Sequence, residues 1–260
     1  MIVSRPVRFT DSMDAHRRLL EALGGHILSD FGTWVVYALA HGRVALHGAD
    51  DTSPAGSTML GFEADDLHLV ATSAQAAAPR GTRIRVTEAT HGTAAMVTTA
   101  DGLQFTVDAL TIDPDHASPE PESPSQDQAS AAAADDAPRA GQVSVLPLWL
   151  TAQPDQAAET LAALGARERI RSESGDWVDF RADAGLVAVH RHDSTEVALS
   201  FEYTGEVDEL LEPLQQAGFE ATVIDEAFGR TLRIPDPDLP DAEIWINQTQ
   251  SDLYGYRRAE

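Results

Sequence analysis

Three side chains in the last third of the chain are of the types needed for metal or acid–base chemistry: His190 ending the run LVAVH, Glu202 in LSFEY and Glu243 in EIWINQ. One imidazole with two carboxylates can hold a divalent metal with open coordination positions, or one of the three can act as a general base. The plainer alternative is a strand-end histidine bonded to backbone or water, with the acids facing solvent. His47 and Glu63 stand in similar surroundings in the first half. Other chemistries lack their parts. All eighteen basic residues are Arg, so no lysine is available for a Schiff base. Cysteine is absent, which removes thiol nucleophiles, disulfides and Cys-ligated zinc. The sequence contains no G-x-S-x-G elbow, no P-loop and no G-x-G-x-x-G after a strand, so hydrolase, NTPase and dinucleotide readings have no motif.

Around these residues the chain divides in two. Its 260 residues are 43% hydrophobic, enough for two ordinary domains, each with its own core. A formal charge of −24 argues against nucleic-acid binding, which needs clustered cations. No stretch is long enough to span a bilayer, so the expectation is a soluble, cytoplasmic protein. Residues 113–141 carry Pro, Ser, Ala and acids with no aromatic residue, a composition expected of a disordered acidic linker. The expected domains are therefore 1–112 and 142–260.

Periodicity predicts the same element order four times: a strand, a helix, then three strands. In the first unit, a strand over Val3–Thr10 precedes a helix over 12–23 with Ser12 as a candidate N-cap and Gly24 ending it. In the last unit, a strand over Val197–Tyr203 precedes a helix over Glu206–Ala217, whose Val207, Leu210, Leu211 and Leu214 recur at helical spacing. The halves are internal repeats. DAHRRLLEALG at 14–24 matches DQAAETLAALG at 155–165; Trp34-Val35 matches Trp177-Val178; GRVALH matches GLVAVH; LGFE matches LSFE. A period of about 140 residues indicates domain duplication rather than a solenoid.

The βαβββ pattern, with FEYTGEVD, DEAFGRTLR and the closing EIWINQ, resembles the vicinal oxygen chelate superfamily, as tandem glyoxalase/bleomycin-resistance-like domains. The resemblance implies an α+β fold of two tandem domains. Each would pair two βαβββ units into a curved sheet cup with helices outside, and the fused halves would form a monomeric pseudo-dimer. Family metal ligands, typically His, His and Glu, stand on the first strand, on the strand opening the second unit and on the closing strand. Here the first strands have no histidine, Met59 and Ala198 occupy the opening strands, and only Glu243 matches the carboxylate, with Gln104 in the first half. The resemblance therefore implies a small-molecule binding protein of the bleomycin-resistance type with no cofactor, rather than an enzyme. The alternative is a glyoxalase- or dioxygenase-like enzyme with one divalent metal on His190, Glu202 and Glu243; a degenerate scaffold domain binding another protein is a third reading.

Strand alternation combined with the family orientation turns Trp177, Asp179, His190, Glu202, Glu243 and Trp245 into the second cup, and Trp34, His47 and Glu63 into the first. Residues 142–260 hold twenty-three acids against nine Arg, residues 1–112 twelve against eight. A cationic, partly aromatic ligand in the second cup is the expectation, with Glu202 and Glu243 as counter-charges and the indoles as stacking walls.

Overall fold

The computed structural model describes residues 1–89, 92–110, 140–227 and 229–259. All but the last two residues of the expected linker, 113–141, lie outside the described residues. The first half runs β1 (Ile2–Ser4), β2 (Val7–Thr10), α1 (Met13–Ala22), β3 (His26–Asp30), β4 (Trp34–Ala38), β5 (Arg43–Gly48), β6 (Thr58–Met59), β7 (Gly61–Ala64), α2 (Leu67–Ala77), β8 (Arg83–Ala89), β9 (Gly92–Thr98) and β10 (Gln104–Ala109). The second half runs β11 (Val143–Val145), β12 (Leu148–Thr151), α3 (Pro154–Ala163), β13 (Arg167–Ser172), β14 (Trp177–Arg181), β15 (Leu186–Arg191), β16 (Glu196–Ala198) and β17 (Ser200–Tyr203). A 3-10 turn (Val207–Leu210) then leads into α4 (Leu211–Gln216), β18 (Thr222–Glu226), β19 (Gly229–Pro235), β20 (Glu243–Gln248) and β21 (Tyr256–Arg258).

Four sheets result, ordered β3-β4-β5-β2-β6 and β1-β7-β10-β9-β8 in the first half, and β16-β12-β15-β14-β13-β21 and β11-β17-β20-β19-β18 in the second. This is the expected architecture: two tandem domains, each of two paired βαβββ units. Within it, each domain's first strand is two strands in two sheets. β1 pairs antiparallel with β7, and β2 pairs parallel with β5. Pro6 sits at the break, where it has no amide to give a ladder. Arg5 N bonds Gly61 O at 2.9 Å beside it. Pro147 divides β11 from β12 in the same way.

The cores do not follow the domain boundary. One cluster joins Phe62, Phe105 and Val107 of the first half to Trp149, Leu161 and Phe180 of the second; another joins Leu19, Tyr37 and Leu46 to Phe201, Leu214 and Ile246. The expectation of a separate core in each half is thereby corrected. Two β-turns meet at the centre. Gly42 (φ +88°) and Gly185 (φ +84°) face each other so closely that a Cβ on Gly42 would lie 3.1 Å from the Gly185 Cα. Beside them Ser4 N bonds Ala184 O and Val145 N bonds His41 O, each at 2.9 Å, so the contact is the same from both sides. Among the described residues no helix is long and apolar enough to cross a membrane.

Candidate functional site

The second domain holds a cavity of about 840 Å³ between its two sheets. Its floor and walls come from alternate residues of adjacent strands: Leu148 and Leu150 on β12, Trp177 and Asp179 on β14, His190 on β15, Ser200 and Glu202 on β17, and Glu243, Trp245 and Asn247 on β20. The alternation that sends Ala188 and His190 inward sends Val187 and Val189 into the apolar layer with Leu161 of α3. Trp177 and His190 are register partners across β14 and β15, and their rings lie 5.9 Å apart. All six residues expected in the second cup line this cavity.

Their charges are organised by arginines that the sequence reading missed. Arg169 donates from Nη1 and Nη2 to the two oxygens of Glu202, at 2.9 and 2.5 Å, and from Nε and Nη2 to the two oxygens of Asp179, at 3.2 and 2.8 Å. Burial alone would lower the Arg169 pKa, but bonds to Glu202 and Asp179 outweigh it and hold the guanidinium charged. Asp179 is pushed up by burial despite that partner. Arg233 lies 3.1 Å from Glu226 and 3.3 Å from Glu243, with its guanidinium 4.9 Å from the Trp245 ring centroid. Five lining carboxylates, Asp179, Glu202, Glu226, Asp241 and Glu243, thus stand against two arginines. Burial lowers the His190 pKa, so its imidazole is neutral at neutral pH. The signal for Arg169 was its place in the RERIRS strand beside the inward acids, but a bulge between Glu168 and Ile170 breaks the alternation there, and Arg171 bonds Glu168 and Asp155 instead.

The first cup is built differently. Arg5 is 2% exposed, 3.1 Å from Glu63, bonded to Asp108, and 5.4 Å from the Trp34 ring centroid. Arg43 bonds the other oxygen of Glu63. His47 donates from Nδ1 to Gly48 O at 2.7 Å, and its ring stands edge-on to Trp34 at 5.6 Å. Phe9, Met59, Val7 and Val36 pack into the remaining space. Trp34, His47 and Glu63 therefore sit on the expected cup face, packed against Phe9, Met59, Val7 and Val36, with two arginines balancing Glu63 and Asp108.

The His190, Glu202 and Glu243 set is not gathered into a metal-binding group. Both Glu202 oxygens are on Arg169, and Glu243 is beside Arg233. Among the described residues one group has that geometry: His16, Asp236 and Asp238, with ligand atoms within 4.8 Å of one another. It lies at the seam between the domains, behind the cup mouth. Its donor types, one imidazole and two carboxylates, are those that bind a divalent transition metal, and in this structure they are bonded to protein partners, His16 Nε2 lying 2.9 Å from Asp238 Oδ2. The same cluster contains Arg8, whose Nη2 lies 2.5 Å from both oxygens of Asp236.

With this geometry in hand, the fold of two tandem domains of paired βαβββ units can be set beside those of known proteins. No protein-family model and no curated protein matches the chain. Solved structures do. The chain resembles the 2,3-dioxygenase LapB from Pseudomonas sp. KL28 with a TM-score of 0.61 at 14% identity, over 97% of this chain and 92% of that one. It resembles homoprotocatechuate 2,3-dioxygenase from Brevibacterium fuscum, solved with 3,4-dihydroxyphenylacetate, with a TM-score of 0.58 at 13% identity, over 96% of this chain and 80% of that one. At this identity the likeness establishes the fold. Together with the His16, Asp236 and Asp238 group, it overturns the expectation that no cofactor is involved.

Proposed function

We propose that the chain handles a small organic molecule in its second cup, and that this molecule carries a ring and a positive charge. The observation that carries this reading is the asymmetry of the two cups. One is packed with apolar side chains and charge-balanced by Arg5 and Arg43; the other keeps about 840 Å³ of space and more carboxylates than arginines. Trp177 offers an indole wall beside neutral His190, and Leu148, Leu150 and Ala198 give an apolar floor. Flat cations gain from such a combination through stacking, cation–π contact and field complementarity. Tryptophan fluorescence titrated with basic aromatic compounds, glycopeptide antibiotics among them, at low and moderate salt tests it. Saturable binding that weakens with salt supports the reading; equal or better binding of neutral and anionic analogues refutes it.

A second reading, a metal-dependent dioxygenase-like enzyme, is favoured by the solved structures that share the fold and by the seam group. Its support is the 2,3-dioxygenase activity named for those proteins and the donor set of His16, Asp236 and Asp238. Elemental analysis of protein purified without chelators, followed by oxygen uptake with catechols, tests it. Stoichiometric metal and uptake that both disappear in Asp236→Asn support an enzyme; catechols left intact by metal-loaded protein refute it.

A further inference from the structure

The internal duplication supplies a control for every residue at the domain seam. Thr10 and Thr151 are equivalent: each ties the turn before the helix that follows it, accepting from Ser12 N at 2.8 Å and from Gln153 N at 3.1 Å. Each hydroxyl also donates to an aspartate in the opposite domain, Thr10 to Asp238 at 2.9 Å and Thr151 to Asp101 at 2.6 Å. Here the equivalence ends. Trp149 and Ala157 stand at the positions of Arg8 and His16, and both are packed in an apolar core. On the other seam, Arg8 and His16 are buried polar groups. His16 Nε2 lies 2.9 Å from Asp238, and Arg8 binds Asp236 while Nη1 reaches Gly56 O and Thr58. Asp238 also accepts from Asp11 N and Ser12 N in the turn before α1, and the Ser12 hydroxyl donates to Pro237 O at 3.1 Å.

What the charged seam holds is the 236–242 connection between β19 and β20. Leu239 covers Gly56 of the first domain, where an added Cβ would come within 2.4 Å of the leucine side chain. The far end of the same connection, Pro240, Asp241 and Ala242, lines the open cup. The polar seam thus occurs on the side whose connection forms a cup lip. We propose that Arg8 and His16 are positioning residues, through which the first domain clamps the lip of the second domain's cup in its ligand-binding form. This rests on the second cup being the ligand site. A buried, multiply bonded anchor fixes a short segment far better than a surface contact does, because each broken bond leaves a desolvated group unpaired.

The test compares the full-length chain with Arg8→Met and with Arg8→Met/Asp236→Asn, the second keeping the guanidinium out without leaving Asp236 as an uncompensated buried charge. Amide hydrogen exchange and calorimetric titration with proflavine, a flat tricyclic cation, are read together. In both variants, exchange is expected to quicken over 236–242 while strands β4 and β14 keep wild-type protection, and proflavine affinity is expected to fall about fivefold or more, the scale of typical site-to-site coupling. Unchanged exchange over 236–242 in the double variant overturns the clamp. Quickened exchange with unchanged proflavine affinity overturns the positioning role, and exchange that quickens equally throughout both domains reduces Arg8 to general stability. If wild-type protein binds no proflavine, the cup reading fails on its own, and the exchange pattern still decides whether the clamp exists.

Discussion

Arg169 is the residue on which the interior of the second cup depends. It holds Asp179, which is 3% exposed, and Glu202, 4% exposed, so its removal strands two buried carboxylates. Arg169→Met is expected to cost about 3–5 kcal/mol in urea unfolding. Adding Asp179→Asn and Glu202→Gln should return most of that loss, because no buried charge is then left alone. Asp238 sets an acid limit. Burial alone would raise its pKa, but His16 and Thr10 outweigh burial and hold it well below the ordinary carboxylate range. Its contribution to stability is therefore complete above the unfolded value of about 3.9 and is lost as pH falls below it. Thermal melts should show Asp238→Asn losing the most stability relative to wild type near neutral pH, and the difference shrinking below about pH 4. The acids of the cup were readable from alternation because a strand sends every second residue to one face. Their arginine partners were not, since Arg169 lies ten residues from Asp179 and thirty-three from Glu202, and the pairing depends on how β13 and β17 are brought together.

At the scale of elements, the four βαβββ units were legible because helical spacing, glycine stops and strand alternation agree. α2 is capped by Asp66, whose carboxylate accepts from Leu69 N at 2.9 Å. Three features were not legible. The proline breaks move half of each first strand into a neighbouring sheet, and local alternation does not say which sheet a strand joins. The expected helix over Glu206–Ala217 begins as a 3-10 turn and becomes α-helical at Leu211. Pro213 has no amide to donate within it, which shortens its ladder. β21, which covers the edge of β13, had too short a run to stand out. The Gly42 and Gly185 turns yield a prediction. Gly185→Ala would place a Cβ 2.9 Å from the Ser4 Cβ and 3.0 Å from the Gly42 Cα, at a backbone φ of +84°. It is expected to lower stability by about 1–3 kcal/mol, measurable as a drop in Tm. Gly175→Ala, which meets no atom within 4 Å, isolates the backbone term alone.

At the scale of the whole molecule, duplication produced two domains whose apolar cores cross between them, while their cups diverged. Residues 1–112 or 142–260 expressed alone should leave half of each core uncovered, and are expected to aggregate or to show weak near-ultraviolet circular dichroism; a cooperative, two-state unfolding of either fragment would contradict this. The duplication was legible from the repeat, but which cup stayed open was not, because the first cup's interior depends on Arg5, at the break between β1 and β2, meeting Glu63 of β7. Calorimetric titration of the full-length chain with proflavine, in matched cup variants, tests most directly the claim that the second cup is the working one. Trp177→Ala and Glu243→Gln should each weaken binding tenfold or thereabouts, a loss of about 1.4 kcal/mol, while Trp34→Ala and His47→Gln, folded by their circular dichroism, should bind as wild type does. Loss of binding in the first-cup pair with the second-cup pair unaffected would contradict it.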